Sequence, residues 1–302
     1  MRLIVIPLLL ALLGTFCSPV RAAQQSTVQQ PTVQQLTIVA SVEPLAMVLR
    51  EIYGDHARVV TLLAPNQNPH HPMLSPQQVL TLRQADLLVW LGPDADPAVA
   101  PLVAARHGLS LALTALPGVT VWHSDVDEHG HPQPGAIDPH LWLSPANMMA
   151  LAKAVAEQAV GQLAPGEPAA FIQRLKKADQ AIRQQLAPVA STPWLTYHQP
   201  WGYFQRYFGL ADPVIVSRQL DVGPSSRHFV ALAEGIKRQG VQCAIIEPEA
   251  QAGVMRRLCP DCRRVKLDPL GRDHGGERYA VWLSKVVAPA FLHCLAGTPP
   301  AS

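Results

Sequence analysis

From Leu36 onward the chain alternates short apolar runs with amphipathic helical stretches, and this alternation constrains its fold more than any other feature. Strands are expected at Leu36 to Ala40, Val59 to Leu63, Asp86 to Leu91 and Leu109 to Leu113. Helices are expected at Pro44 to Tyr53, Pro76 to Gln84, Pro97 to His107 and Pro145 to Leu163, the last with Ser144 as its N-cap. Strands separated by helices pair in parallel, with the helices covering the sheet. The alternation resumes after Pro188 and Pro193, with strands at Trp194 to Tyr197, Val214 to Val216, Val241 to Ile246 and Arg264 to Leu267. Helices at Trp201 to Phe208, Phe229 to Arg238 and Gly276 to Leu295 accompany them. The expected fold class is α/β, with two lobes that are each a mainly parallel sheet covered by helices.

Between the lobes runs Glu167 to Leu186, whose apolar residues Phe171, Leu175, Ala178, Ile182 and Leu186 recur at steps of three and four. One stripe of this helix is buried and the rest is solvated. At 1.5 Å per residue such a helix spans roughly 30 Å, a domain's width, so it reads as one long rigid strut. The domain boundaries that follow are residues 36–165 for the first lobe, 166–189 for the linking helix and 190–302 for the second lobe.

Residues 1–22 combine an early Arg2, an apolar run from Leu3 to Leu13 and small residues at the end, the pattern of a cleavable secretory signal. The bulky Phe16 before Cys17 argues against a lipid anchor there. Residues 23–35 repeat Thr-Val-Gln-Gln and read as a polar disordered tether. Removing the signal takes away Arg2 and Arg21, which leaves 22 basic and 22 acidic residues. A chain near neutrality without a basic stripe is a poor partner for nucleic acid or an anionic membrane, so the expected product is soluble and exported.

Chemistry-bearing residues cluster where strand-like runs end. The stretch Asp138-Pro139-His140-Leu141-Trp142-Leu143-Ser144-Pro145 holds an imidazole in a proline-bounded turn at a helix entrance. His70 and His71 follow one strand, His198 follows another, and Asp268 follows a third. In α/β folds the carboxyl ends of parallel strands are where sites are built, so these groups can converge. Three neutral imidazoles and a carboxylate suit a divalent metal, zinc above all. Glu247, at the end of its strand, is assigned a supporting role, orienting an imidazole or balancing charge. His123, His129 and His131 lie in a short polar segment that reads as an acidic loop able to collect metal weakly.

Four cysteines remain beyond the signal, which allows three pairings. Cys259 and Cys262 form a single Cys-Pro-Asp-Cys that reads as a local disulfide, and a Cys243–Cys294 bridge would staple the terminal helix to the second sheet. No His-Glu-x-x-His, Gly-x-Ser-x-Gly or phosphate-binding glycine loop is present, which lowers the standing of an enzyme.

The motifs Pro69-His70, Asp138 to Pro145, Tyr197-His198 with Trp201-Gly202-Tyr203-Phe204, Glu247-Pro248 and Leu267-Asp268-Pro269-Leu270-Gly271 occur in family order. In them the chain resembles the zinc-binding periplasmic receptors of bacterial ABC importers, the ZnuA type, from Thr37 to Leu295. The resemblance implies two lobes joined by a long helix, with metal held in the cleft by His70, His140 and His198 and the site completed by Asp268. It also implies the Cys243–Cys294 disulfide. Gln199 and His71 stand where relatives commonly carry Asp, and the histidine-rich loop is short.

Manganese receptors resemble this pattern with a Glu at the position of His198, so imidazole there favours zinc. The implied protein is a monomeric periplasmic receptor that passes zinc ion to a permease and its ATPase, without catalytic turnover. The alternatives are a manganese or iron receptor of the same family, a periplasmic zinc store, and a secreted zinc hydrolase, since three His ligands and a water also describe catalytic zinc.

Overall fold

The computed structural model describes residues 35–67, 72–126, 132–159, 163, 165–217 and 223–296. The first sheet is built from β1 (Leu36–Ala40), β2 (Ala57–Thr61), β3 (Leu87–Trp90) and β4 (Leu109–Ala112), interleaved with α1 (Glu43–Tyr53), α2 (Pro76–Gln84) and α3 (Ala100–Ala104). All neighbours pair in parallel in the order β2-β1-β3-β4. The two central strands carry Ile38, Val39, Ala40, Leu87, Leu88 and Val89, all fully buried. Unbroken apolar runs are what a parallel strand covered on both faces requires. α2 begins with a capping box, in which Ser75 Oγ accepts from Gln78 N and Gln78 Oε1 accepts from Ser75 N.

An antiparallel hairpin, β5 (His123–Val126) and β6 (Pro132–Ile137), follows and leads into α4 (Pro145–Gln158), where Ser144 Oγ accepts from Asn147 N as its cap. After α5 (Pro168–Leu186) the second sheet forms from β7 (Leu195–Thr196), β8 (Val214–Ile215), β9 (Cys243–Ile246) and β10 (Arg263–Lys266), with α6 (Gly202–Phe208), α7 (Ser226–Gln239) and α8 (Ala252–Leu258) between them. It is also parallel, in the order β10-β9-β7-β8. The chain ends its described course in α9 (Tyr279–Trp282), a π-turn at Leu283–Val287 and α10 (Ala288–Ala296).

The expected α/β class with two helix-covered parallel sheets is what the structure has, and α5 covers the expected linking helix. Three elements differ from the sequence reading. The start of the polar segment, His123–Val126, is a strand rather than loop, and residues 127–131 lie outside the described residues; it has no apolar alternation, and it is set by antiparallel pairing with β6, His123 opposite Ile137. The helix expected from Pro97 to His107 shrinks to α3, because Pro101 has no N–H to give and is tolerated only in a first turn. The short α8 was not anticipated; it has no side-chain cap to announce it.

α5 does not stand free between the lobes. Phe171, Leu175, Ile182 and Leu186 belong to one core that runs from Ile38 and Leu87 in the first sheet to Ile245 in the second. The terminal helix makes a second bridge. Phe291 sits against Trp194, Trp201 and Phe204 at ring-centroid distances of 5.3, 5.4 and 4.7 Å. At the other end of that helix, buried Glu51 of α1 accepts from Arg174 Nε of α5 at 2.7 Å and from the backbone N of Ala280 at 3.3 Å. The stretch Tyr279–Ala296 is long and apolar enough to cross a membrane by composition, yet half of it is buried and it carries Trp282 and Phe291 into the core. It reads as a core helix.

Disulfides join Cys243 to Cys294, stapling β9 to α10, and Cys259 to Cys262, closing the turn between α8 and β10. Arg263 donates to the carbonyls of His293 and Cys294, which caps the end of α10.

Candidate metal centre

Strand order determines where a site can lie. In the first sheet the chain leaves β1 for β2 on one side and returns to β3 on the other; in the second it leaves β7 for β8 and returns to β9. At such switch points the loops past adjacent strands diverge and open a crevice. Val42 and Leu91, just past β1 and β3, share one cavity of ≈ 40 Å³ with His198 and Glu249, just past β7 and β9. His140 lines the same cavity.

The His140 turn is fixed from several directions. Asp138 N donates to Trp122 O at 3.0 Å, and Tyr203 Oη accepts from Trp122 N at 2.8 Å while donating to Asp138 O at 3.3 Å. Burial pushes the Tyr203 pKa well up, so its hydroxyl keeps the proton that this bond needs. Asp138 Oδ1 then accepts from His140 N at 3.1 Å and faces His140 Nδ1 at 2.8 Å. A carboxylate on Nδ1 fixes the imidazole's tautomer and leaves Nε2 as the nitrogen a metal would take. Trp142 packs edge-on against the ring at 5.3 Å and donates its indole N–H to Pro269 O at 2.8 Å, tying this turn to the loop after β10.

His198 follows β7, with its carboxylate neighbour farther off. Thr196 Oγ1 lies 2.8 Å from His198 O and 2.6 Å from Glu247 Oε1, and that oxygen stands 3.7 Å from His198 Nδ1. The two imidazoles are both buried, with ring centroids 5.4 Å apart and planes at 56°. The structure thus brings together His140 and His198 and places Glu247 beside the latter. The chemistry of this donor set, two imidazoles across a small cavity, one hydrogen-bonded to a carboxylate and the other 3.7 Å from one, fits a divalent ion of the zinc type.

Asp268, in the loop after β10 beside the cavity-lining Pro269, has both oxygens engaged. Oδ1 accepts from Leu270 N at 3.1 Å and Arg272 Nη2 at 3.1 Å; Oδ2 accepts from Arg272 N at 2.8 Å and Arg272 Nε at 2.9 Å. Arg272 also pairs with Glu249 at 2.6 Å. Burial by itself would lower the Arg272 pKa, but the hydrogen bonds and charges of Asp268 and Glu249 outweigh it and the net direction is upward. His70 and His71 lie outside the described residues, as do His129 and His131. His123 is exposed, with Nδ1 3.0 Å from Gly135 O within the hairpin. Among the described residues no group of three or more His, Cys, Asp or Glu side chains is arranged to hold a metal.

The sequence matches the family described as "Zinc-uptake complex component A periplasmic" (ZnuA) over residues 38–288. The chain belongs to that family. Among curated relatives, the "High-affinity zinc uptake system protein ZnuA" of Yersinia pestis is 25% identical over 264 residues, covering 78% of this chain and 83% of the relative. The protein of the same description from Haemophilus ducreyi is 27% identical over 293 residues, covering 88% and 92%. A solved structure described as "Crystal structure of ZnuA" superposes with a TM-score of 0.70 at 24% identity, covering 86% of this chain and 98% of that one. Proteins described as ZnuA thus share the two-lobed architecture and the length of this chain.

Within this ZnuA-family fold, sequence reasoning located both histidines but missed most of their supports. Asp138 was read as part of a turn rather than as the orienting carboxylate, although an acid two residues before a histidine was a usable cue. Thr196, Glu249 and Arg272 carried no such cue, because their partners come from distant parts of the chain.

Proposed function

We propose that this chain captures zinc in the periplasm and delivers it to a membrane permease driven by a cytoplasmic ATPase, as a monomeric receptor without catalytic turnover. The observation that carries this reading is the meeting of His140, from the turn before α4, with His198, just past β7 of the second sheet, with rings 5.4 Å apart in a shared cavity. A site divided between lobes holds an ion most tightly when both lobes are in place, which suits capture and release rather than chemistry on a bound substrate. Imidazole nitrogen from both sides favours zinc over manganese, whose preferred donors are oxygen.

In this proposal His70 supplies a third imidazole from the loop after β2, with Asp268 as the candidate carboxylate. Glu247 backs His198, and His123, His129 and His131 form an auxiliary collecting segment. Residues 36–165 and 190–302 act as the two metal-binding lobes around the linking residues 166–189, and residues 1–22 export the chain. The family assignment and the description of its curated relatives as high-affinity zinc uptake proteins support zinc as the cargo.

The test is a chelator-competition titration of metal-free protein with zinc and separately with manganese, comparing wild type with His140→Ala. One tight zinc equivalent, much weakened by the substitution and poorly matched by manganese, is the expected result. Weak uptake of several ions, indifferent to His140, would remove the reading.

A further inference from the structure

Arg272 stands between two spaces. It lines the ≈ 40 Å³ cavity that His140 and His198 share, and it also lines the neighbouring cleft of ≈ 540 Å³ walled by Glu43, Thr61 and Gln67. Its side chain is only 11% exposed, and its guanidinium contacts two carboxylates at once, Asp268 through Nε at 2.9 Å and Nη2 at 3.1 Å, and Glu249 through Nη2 at 2.6 Å. With the backbone N–H groups of Leu270 and Arg272 added, neither Asp268 oxygen is left without a donor.

A two-pronged guanidinium–carboxylate contact is among the stronger and more directional of protein ion pairs. A carboxylate held this way is a poor metal ligand, because the lone pairs a metal would take point at N–H groups. The negative charge of Asp268 and Glu249 beside a cavity of imidazoles has to be balanced, and two cations are available to do it: the guanidinium, or a divalent ion. A metal that engages Asp268 has to displace the guanidinium from it, and a guanidinium that holds Asp268 takes a ligand from the metal.

We propose that Arg272 sets how tightly and how long the cavity holds zinc, standing in for the metal on Asp268 and Glu249 when the site is empty and competing with bound zinc for Asp268. The inference rests on the zinc reading given above. It makes Arg272 a positioning residue that acts through Asp268, and it gives the receptor a built-in route to release: return of the guanidinium to Asp268 removes a ligand without protonation of any group.

The test compares wild type, Arg272→Gln, Arg272→Lys, Asp268→Asn and the Arg272→Gln/Asp268→Asn double variant. Zinc affinity is measured by chelator competition, and zinc dissociation by stopped-flow mixing with excess chelator. Cobalt(II), whose visible absorption reports coordination number, is used as a second probe. Expected is a dissociation rate roughly tenfold lower in Arg272→Gln, a coupling of the size found for residues that share one ionic network. The cobalt spectrum should change with it, and both effects should vanish in the double variant. Arg272→Lys keeps a cation without the fork and should fall between; it carries the same test if the glutamine variant does not fold.

Zinc binding by wild type with dissociation unchanged or faster in Arg272→Gln, or an effect that persists without Asp268, overturns the inference while leaving the zinc reading intact. Failure of wild type to bind zinc in a His140-dependent way overturns the zinc reading, and this inference with it.

Discussion

The rings of His140 and His198 stand 5.4 Å apart, centroid to centroid, although one residue precedes α4 and the other follows β7 in a different sheet. Neither sheet makes this contact alone. It exists because the α5 strut, the terminal helix and a shared core hold the His140 turn and the end of β7 face to face, so each imidazole depends on the packing of both halves.

Orientation of His140 by Asp138 is the most direct place to test that dependence. Removal of a carboxylate that hydrogen-bonds a ligating histidine typically lowers metal affinity by roughly ten- to hundredfold. Asp138→Ala should weaken zinc binding by that order while leaving the circular dichroism spectrum unchanged, and Asp138→Asn, which keeps an acceptor, should lie between. Wild-type affinity in Asp138→Ala would mean the ring is held by its packing on Trp142 alone.

What could be read in the sequence, and what could not, follows from how local each interaction is. β1 and β3 were legible because a strand buried on both faces must be continuously apolar, and Leu36 to Ala40 and Leu87 to Trp90 are nearly so. The hairpin at His123 was not, since its strands are polar and their pairing is a property of two backbones. His140 announced itself through its flanking prolines. Its tie to the other lobe did not, because Trp142 reaches Pro269 across 127 residues and Thr196 reaches Glu247 across 51. Arg272 looked like an ordinary residue after a Leu-Gly turn, and its two carboxylates are visible only once β9 and β10 lie side by side.

Three tyrosines make the fold sensitive to alkali. Burial raises the Tyr53 pKa to about 12 and drives those of Tyr203 and Tyr279 up as well. A phenol whose folded pKa exceeds the unfolded value of ~10 contributes stability that is fully present below pH 10. That contribution is lost as pH climbs toward about 12 in the case of Tyr53, because the unfolded chain gives up its proton first. The midpoint of denaturation should therefore fall as pH rises from ~10 to about 12. Tyr53→Phe should flatten that slope. The Tyr53 hydroxyl is buried and has no hydrogen-bond partner among the described residues, so the same variant should be at least as stable as wild type at pH 7. A slope unchanged in Tyr53→Phe would remove Tyr53 from the account.

The two disulfides should contribute unequally. Cys243 and Cys294 are separated by 51 residues and Cys259 and Cys262 by 3. On the loop-entropy relation the long bridge is worth about 4 kcal/mol and the short one about 1.5 kcal/mol. Replacing Cys243 and Cys294 with serine should lower the denaturant midpoint far more than replacing the other pair. Because β9 runs from Cys243 to Ile246 and leads directly to Glu247, the same change should also weaken zinc binding. Equal losses from the two pairs would show that local strain, rather than chain entropy, governs both.

Gly271 is where the loop after β10 meets the first lobe. Its φ of +60° is left-handed, and a Cβ placed there would come within 2.9 Å of Trp282 Nε1 and 3.0 Å of Met47 Cε. Left-handed backbone costs an alanine about 1 kcal/mol, and displacing a buried indole adds a comparable overpacking cost, so Gly271→Ala should destabilise by about 2 kcal/mol. The consequence reaches the candidate site, since Pro269, Leu270 and Arg272 line the cavity that His140 and His198 share, and Met47 belongs to α1. Zinc affinity should fall along with stability. Made in a Met47→Ala background, which is itself destabilised by loss of a fully buried side chain, Gly271→Ala should cost less than it does in wild type, because the crowding against Met47 is then gone. A Gly271→Ala protein within about 0.5 kcal/mol of wild type, the ordinary scatter of surface substitutions, would show that the loop can shift freely and that its close packing on Met47 and Trp282 does not position the cavity wall.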